Sequence, residues 1–154
     1  MALQTVFNDI DLGDLLNVAT KKKYEGWRAI QMLCVNTEDG IDMTYSFNKD
    51  DVVENYRVRG VTKDQEVPSL QGMFLGLFPF ENEAVDLFGV NVKGMTLDFA
   101  GQLYKLSKQE PMTIISPEQK AAREKAKKIA AAKAAKAAKA AKEAAEAAAG
   151  KDGE

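Results

Sequence analysis

The stretch Ile41-Asp42-Met43-Thr44-Tyr45-Ser46-Phe47 alternates apolar and polar side chains without a fault. Successive residues of a strand point to opposite faces, so Ile41, Met43, Tyr45 and Phe47 require a core on one side. Asp42, Thr44 and Ser46 require water or polar neighbours on the other. This is a half-buried strand. The residues before it, Trp27 to Val35, are apolar on both faces and read as a second strand, and Thr37-Glu38-Asp39-Gly40 supplies the turn between them. The two make a hairpin. Val52 to Val58 is a third strand, with Val52, Tyr56 and Val58 sharing a face, and Gly60 to Val67 is polar and loop-like.

Ahead of the hairpin, Asn8 to Lys22 reads as a helix. Leu12, Leu15, Leu16 and Ala19 recur at helical spacing, Asp9, Asp11 and Asp14 lie near its positive end, and Lys21, Lys22 and Lys23 occupy its last turn. Gly13 weakens this helix. Beyond the third strand, Leu70 to Val90 is the most distinctive segment. An apolar run broken by Gly72 and Gly76 leads into a helix that opens near Pro79 and closes at Gly89, a plausible left-handed stop. Val90 to Lys93, Met95 to Phe99 and Leu103 to Leu106 read as short extended pieces, with a turn at Gly101.

On a wheel of 100° per residue, Phe80, Ala84, Val85, Leu87 and Phe88 gather on one side of that helix. Glu83 and Asp86 share the other side and are expected to face solvent or a partner. Glu81 falls within the apolar arc. A carboxylate there must be capped, paired or neutralised, because burying it bare is costly. Three partners are open: free N–H groups of the first turn, an internal cation such as Arg57 or Arg59, or a cation arriving from another chain. Glu83 and Asp86 also have the side chains of an acid–base pair. No nucleophile, histidine or phosphate loop stands near them, so the catalytic reading is set aside.

Composition narrows the chemistry further. Histidine is absent and Cys34 is the single cysteine. Ser-His-Asp and Cys-His arrangements, histidine zinc sites and multi-cysteine iron–sulfur clusters are therefore excluded from this chain. A carboxylate-only magnesium site remains open. One cysteine also excludes an internal disulfide, which suits a reducing compartment, and Cys34 reads as a small core residue. The first eight residues do not look like a secretory signal. The longest apolar stretch, Met73 to Phe80, is far below the roughly 20 residues a spanning helix needs. The expectation is a soluble chain that can still sit on a membrane complex.

The formal net charge of −2 hides a division. From Glu118 onward there are ten Lys or Arg and six Asp or Glu; residues 1–117 carry 11 basic and 17 acidic groups. The domain boundaries follow: a body over 1–117 and an Ala/Lys-rich tail over 118–154. In the tail, an Ala-Ala-Lys unit recurs at Lys133, Lys136, Lys139 and Lys142. A three-residue repeat on a 3.6-residue helix spreads these lysines over a broad cationic surface, so the tail reads as helical or disordered, with nothing large to bury.

Two runs of residues carry a resemblance. Pro68-Ser69-Leu70 followed by Glu81-Asn82-Glu83-Ala84-Val85-Asp86-Leu87-Phe88-Gly89-Val90 resembles the signature of the 30-kDa subunit family of respiratory complex I. That family shows Pro-Ser-Ile, a spacer, then Glu-Arg-Glu-x-x-Asp-x-Phe-Gly-Ile; Glu81, Glu83, Asp86, Phe88 and Gly89 match one by one. Asn82 stands where complex I members usually have Arg, and Gly94-Met95-Thr96 where they have Gly-His-Pro. Those departures argue against quinone-linked NADH oxidation. Together with Asp98-Phe99-Ala100-Gly101-Gln102-Leu103-Tyr104, they are similar to the hydrogenase branch, in particular the 30-kDa-type subunit of Ech-type energy-converting hydrogenases.

The resemblance implies an α/β (α+β) two-layer domain of helices on a small mixed sheet. It implies a subunit without catalytic residues of its own, in an oxidoreductase complex that passes electrons from ferredoxin to protons and couples this to ion translocation. Glu81, Glu83, Asp86, Phe88 and Gly89 then form a partner interface. No cofactor belongs to this chain; nickel, iron and iron–sulfur clusters sit in partner subunits. The partners are the hydrogenase large subunit and other peripheral-arm subunits, with indirect attachment to the cytoplasmic face of the cell membrane. Two other readings stay open: a complex I (NADH–quinone) subunit of the 30-kDa type, and a binding module whose basic tail engages nucleic acid or an anionic membrane. Nucleic acid is disfavoured by the acidic body and by a tail without aromatic residues for stacking.

Overall fold

In a computed structural model of the chain, residues 4–113 and position 125 are described. Contacts divide the chain into two compact units, Met1–Ile114 and Ile115–Glu154. The tail from Glu118 thus lies outside the described residues, apart from position 125, and the architecture is that of the first unit.

The alternation at Ile41–Phe47 does what it demands. Strand β3 spans Ile41–Lys49, and Ile41, Met43, Tyr45 and Phe47 are all buried while the residues between them are half-exposed. Strand β2, Arg28–Asn36, pairs with it antiparallel and places Met32 and Cys34 opposite Tyr45 and Met43. On the far side of β3, strand β4 (Val52–Val61) pairs antiparallel and brings Tyr56 and Val58 to the same face. The hairpin and the third strand expected from the sequence are both present. Strand β4 runs three residues further than expected, and Val61 is buried within the segment whose polarity suggests a loop.

The first correction is at the N-terminus. Gln4–Ile10 is a strand, β1, which pairs parallel with β4 in register Gln4↔Val52 to Ile10↔Val58. A 3-10 turn at Leu12–Asp14 follows, and helix α1 spans only Leu15–Tyr24. The expected helix from Asn8 therefore loses its first three residues to a strand and its next turn to the 3-10 segment. Leu15 and Ala19 do bury as the helical spacing requires, and Lys21 to Lys23 fill the last turn. The reason for the difference is tertiary. Asp9 does not serve a helix N-terminus; it accepts hydrogen bonds from Arg57 Nε at 2.8 Å and Arg59 Nη2 at 3.0 Å on the neighbouring strand. Those guanidinium groups hold its carboxyl at about 2, well below the ordinary range.

The result is a four-stranded mixed sheet in the order β1-β4-β3-β2. One face is covered by α1 and by the chain after β4. That chain forms β5 (Glu66–Pro68), helix α2 (Phe78–Phe88) and β6 (Asn91–Lys93), with β5 and β6 paired in parallel as a separate two-stranded ribbon. The core lies between, with Phe47 tilted against Phe74 at 5.4 Å and edge-on to Tyr56 at 6.1 Å. This is the α+β, helices-on-sheet arrangement expected. Neither Met95–Phe99 nor Leu103–Leu106 forms a strand; both are bends and turns, tied to α2 by side-chain hydrogen bonds. Cys34 is half-buried against the core, and burial pushes its thiol up to about 12, so it stays protonated and inert.

A buried cation joins the layers. Lys22 is 5% exposed; its ammonium donates to Glu54 Oε2 at 2.7 Å and lies 3.8 Å from the centre of the Trp27 ring. Tyr56 donates its hydroxyl to the same Glu54 oxygen, and desolvation followed by that bond raises the Tyr56 pKa. The lysine is paired and stacked, so it acts as a structural link between α1 and β4.

Gly40 closes the β2–β3 hairpin at φ +135°, and a Cβ there would meet the Gly60 and Val61 backbone at 2.8 Å. Gly13 has open space around it. Gly40→Ala should therefore cost about 2 kcal/mol or more, while Gly13→Ala should stay within about 0.5 kcal/mol of the parent. Urea denaturation of the two variants tests this, and equal midpoints would refute the strained turn.

Candidate partner interface on the second helix

Helix α2 begins with Pro79 inside its first turn, where the missing N–H is not needed, and ends on Gly89 at φ +67°. Gly89 donates to Val85 O at 3.0 Å and Val90 donates to Ala84 O at 3.2 Å. The left-handed backbone fixes the glycine; the Glu110 carboxyl, paired with Lys63, also lies over the Cβ position, but as the end of a flexible side chain it can move aside.

Glu81 is buried, as its place on the apolar arc implies, but neither of the two partners expected within the chain holds it. Its Oε1 accepts the Leu70 N–H at 2.7 Å and its Oε2 accepts the Ser69 hydroxyl at 2.6 Å. Neither the first-turn amides nor Arg57 and Arg59 take part; the two arginines are engaged with Asp9. Glu81 thus fastens the Pro68-Ser69-Leu70 segment to the helix. Burial raises its pKa, opposed by the hydrogen bonds from Ser69 and Leu70.

The opposite side also departs from expectation. Asp86 is 4% exposed, and its Oδ2 accepts the Tyr104 N–H at 2.8 Å. Glu83 is half-exposed and accepts the Tyr104 hydroxyl at 2.9 Å, a bond that raises the tyrosine's pKa. The side that the wheel assigns to solvent is therefore covered, in part, by the irregular segment after Met95. Phe88 is half-buried against the core.

Two residues escape the sequence reading. Asn82 is fully buried; its amide donates to Phe78 O and Leu97 O, each at 2.8 Å, and its Oδ1 accepts the Phe99 N–H at 2.8 Å. Gln71, 2% exposed, accepts the Leu97 N–H at 2.8 Å. Gln71 carries a visible signal, a lone amide inside an apolar run. Asn82 has only its place between two glutamates. Around this polar centre Leu97, Phe99 and Tyr104 remain 43–44% exposed. These exposed apolar groups border a polar network whose buried atoms are, among the described residues, paired save for Asp86 Oδ1. Among the described residues no group of three or more His, Cys, Asp or Glu is placed to hold a metal.

The model of the respiratory-chain NADH dehydrogenase 30-kDa subunit family matches residues 8–98. This chain belongs to that family. No curated protein matches it in sequence. Among solved structures, its fold is similar to a chain in the structure of the membrane-bound sulfane sulfur reductase, an archaeal respiratory membrane complex. The TM-score is 0.58 at 13% identity, over 70% of this chain and 67% of that one. As a 30-kDa-type subunit, the chain is a component of an oxidoreductase complex, and none of its described helices is long and apolar enough to cross a membrane.

Glu81→Ala leaves the Leu70 N–H and the Ser69 hydroxyl without their acceptor and should cost about 3 kcal/mol, against less than about 1 kcal/mol for Glu83→Ala. Equal losses in chemical denaturation would refute the ranking. A pH effect accompanies it. Because the folded pKa of Glu81 lies above its ordinary 4.5, folding retains a proton that the unfolded chain releases. Its contribution should therefore decline as pH rises from 4.5 through the raised value. The stability difference between wild type and Glu81→Gln should shift against the wild type over that window, and a pH-independent difference would exclude it.

Proposed function

We propose that this subunit is the non-catalytic, cofactor-free peripheral subunit of a membrane-bound energy-converting nickel–iron hydrogenase, in the position of the 30-kDa-type subunit of the Ech enzymes. Its role is to dock on the large subunit, through Glu81, Glu83, Asp86, Phe88 and Gly89 and the segment they support. Nickel, iron and the iron–sulfur clusters belong to the neighbours, and membrane attachment on the cytoplasmic side is indirect. The body is residues 1–117, with the tail from Glu118 outside the docking domain.

One observation carries this reading. The two sequence runs that resemble the hydrogenase branch dock on each other: Asn82 bonds Leu97 and Phe99, Glu83 bonds the Tyr104 hydroxyl, and Asp86 bonds the Tyr104 amide. Asn82 is wholly enclosed while it both donates and accepts. The arginine found there in complex I members has donors but no acceptor, so it could not take the Phe99 N–H that Asn82 Oδ1 accepts. Asn82 and the segment that follows Met95 therefore belong together.

The family match itself favours a second reading, a 30-kDa-type subunit of a complex I-like or other respiratory reductase. Affinity purification of the full-length tagged chain at moderate salt separates the two. A retained large subunit that contains nickel supports the hydrogenase; a retained, nickel-free oxidoreductase supports the second reading. Recovery of nucleic acid alone, abolished by deleting residues 118–154, would overturn both in favour of the basic-tail binding module.

A further inference from the structure

Asp86 carries an oxygen that the fold does not use. While Oδ2 accepts the Tyr104 N–H, Oδ1 is buried with no hydrogen-bond partner among the described residues. Leaving a carboxylate oxygen dry and unpaired is costly, and such groups call for a donor supplied from elsewhere. Asp86 borders a cleft of about 460 Å³ between α2 and residues 101–110, walled by Val85, Tyr104 and Leu106. Gly101 lines the same cleft, and a Cβ there would stand in ordinary contact with Oδ1, at 3.9 Å. Lys108 also lines the cleft but does not bond the carboxylate.

The chemistry of the missing donor is constrained. Asp86 belongs to no cluster of three potential ligands among the described residues, and the other carboxylate lining the cleft, Glu110, is paired with Lys63, so a metal ion would find too few ligands there. The cleft is mixed: Val85 and Leu106 give it apolar surface, and Ser107, Gln109 and Glu110 add polar lining. Asp86 Oδ1 is its buried acceptor without a donor among the described residues, and the combination suits a cation on an aliphatic stem. Arginine meets this best, because its fork of donors bonds carboxylates and its stem covers apolar surface. The body around the cleft carries 17 acidic against 11 basic groups over residues 1–117. We infer that this cleft receives an arginine side chain of a neighbouring subunit, whose guanidinium donates to Asp86 Oδ1. The inference rests on the reading of α2 as a partner surface and names the chemistry that α2 would recognise there.

Two measurements test it. In the first, the isolated full-length chain is titrated with N-acetyl-arginine amide and followed by amide NMR. Saturable shifts at Asp86, Gly101 and Tyr104 are expected, absent with the citrulline analogue and weakened about tenfold or more in Asp86→Asn, which keeps an acceptor for Tyr104. No saturation overturns the proposal, as does an equal response to magnesium alone, and binding that emerges only on deleting 118–154 would place the chain's own tail in the cleft. In the second, partner retention is compared between wild type and Asp86→Asn in the full complex; a loss of about 30-fold in affinity is expected. Unchanged retention overturns the arginine while leaving the docking reading intact. If the wild type captures no partner, the docking reading fails and the titration alone decides the cleft.

Discussion

A helix of eleven residues that buries a glutamate, an asparagine and an aspartate must find hydrogen-bond partners for all three. Most of what surrounds α2 follows from where it finds them. Glu81 holds the backbone at Leu70, Asn82 holds it at Leu97 and Phe99, and Asp86 holds it at Tyr104. The partners are mostly main-chain groups of irregular segments that no sheet satisfies. Such segments are costly to enclose unless their N–H and C=O groups are paired, and α2 supplies the pairing from its own side chains. The polar residues of this helix are thus the framework of the loops on both sides of it.

The sheet divides the labour. Its covered face provides ordinary apolar cohesion through Phe47, Tyr45 and Met43, while Lys22, Glu54 and Trp27 lock α1 onto it. The other face carries Arg57, Asp9, Asn55 and Ser46 across its middle, with Phe7, Leu33 and Val35 exposed towards its two edges. Nothing in that face resembles the arrangement around α2, where apolar side chains ring a buried polar network. A stable base on one side and a side-chain-held surface on the other suit a protein whose contribution is contact.

Legibility in the sequence tracks how local the deciding interaction is. The hairpin is readable because alternation at Ile41–Phe47 and the Gly40 turn are local properties of strand and turn. The close of α2 at Gly89 is readable for the same reason, although the packing of Glu110 over it is not. The strand β1 escapes because Asp9 looks like a helix-end acid while its partners, Arg57 and Arg59, lie almost fifty residues away. The wheel correctly buries Glu81 but cannot name Ser69 and Leu70. It fails for Asp86 because periodicity describes one helix and knows nothing of a later segment laid across it. The residues around α2 can thus be found as a group, while the bonds between them need the fold.

Preorganisation gives the proposed docking surface its functional sense. A docking surface made of free loops must order them on binding, and each ordered side chain subtracts from affinity. Here Leu97, Phe99 and Tyr104 are held with their apolar groups outward, because their backbone is anchored through Asn82, Gln71 and Asp86. The same anchoring explains why so short a helix tolerates acids at positions 81, 83 and 86. Each carboxylate is fixed in place by at least one donor, so the helix presents a defined shape and one acceptor unspent among the described residues, Asp86 Oδ1. Surfaces of that kind recognise a partner through geometry, which salt weakens far less than it weakens long-range attraction.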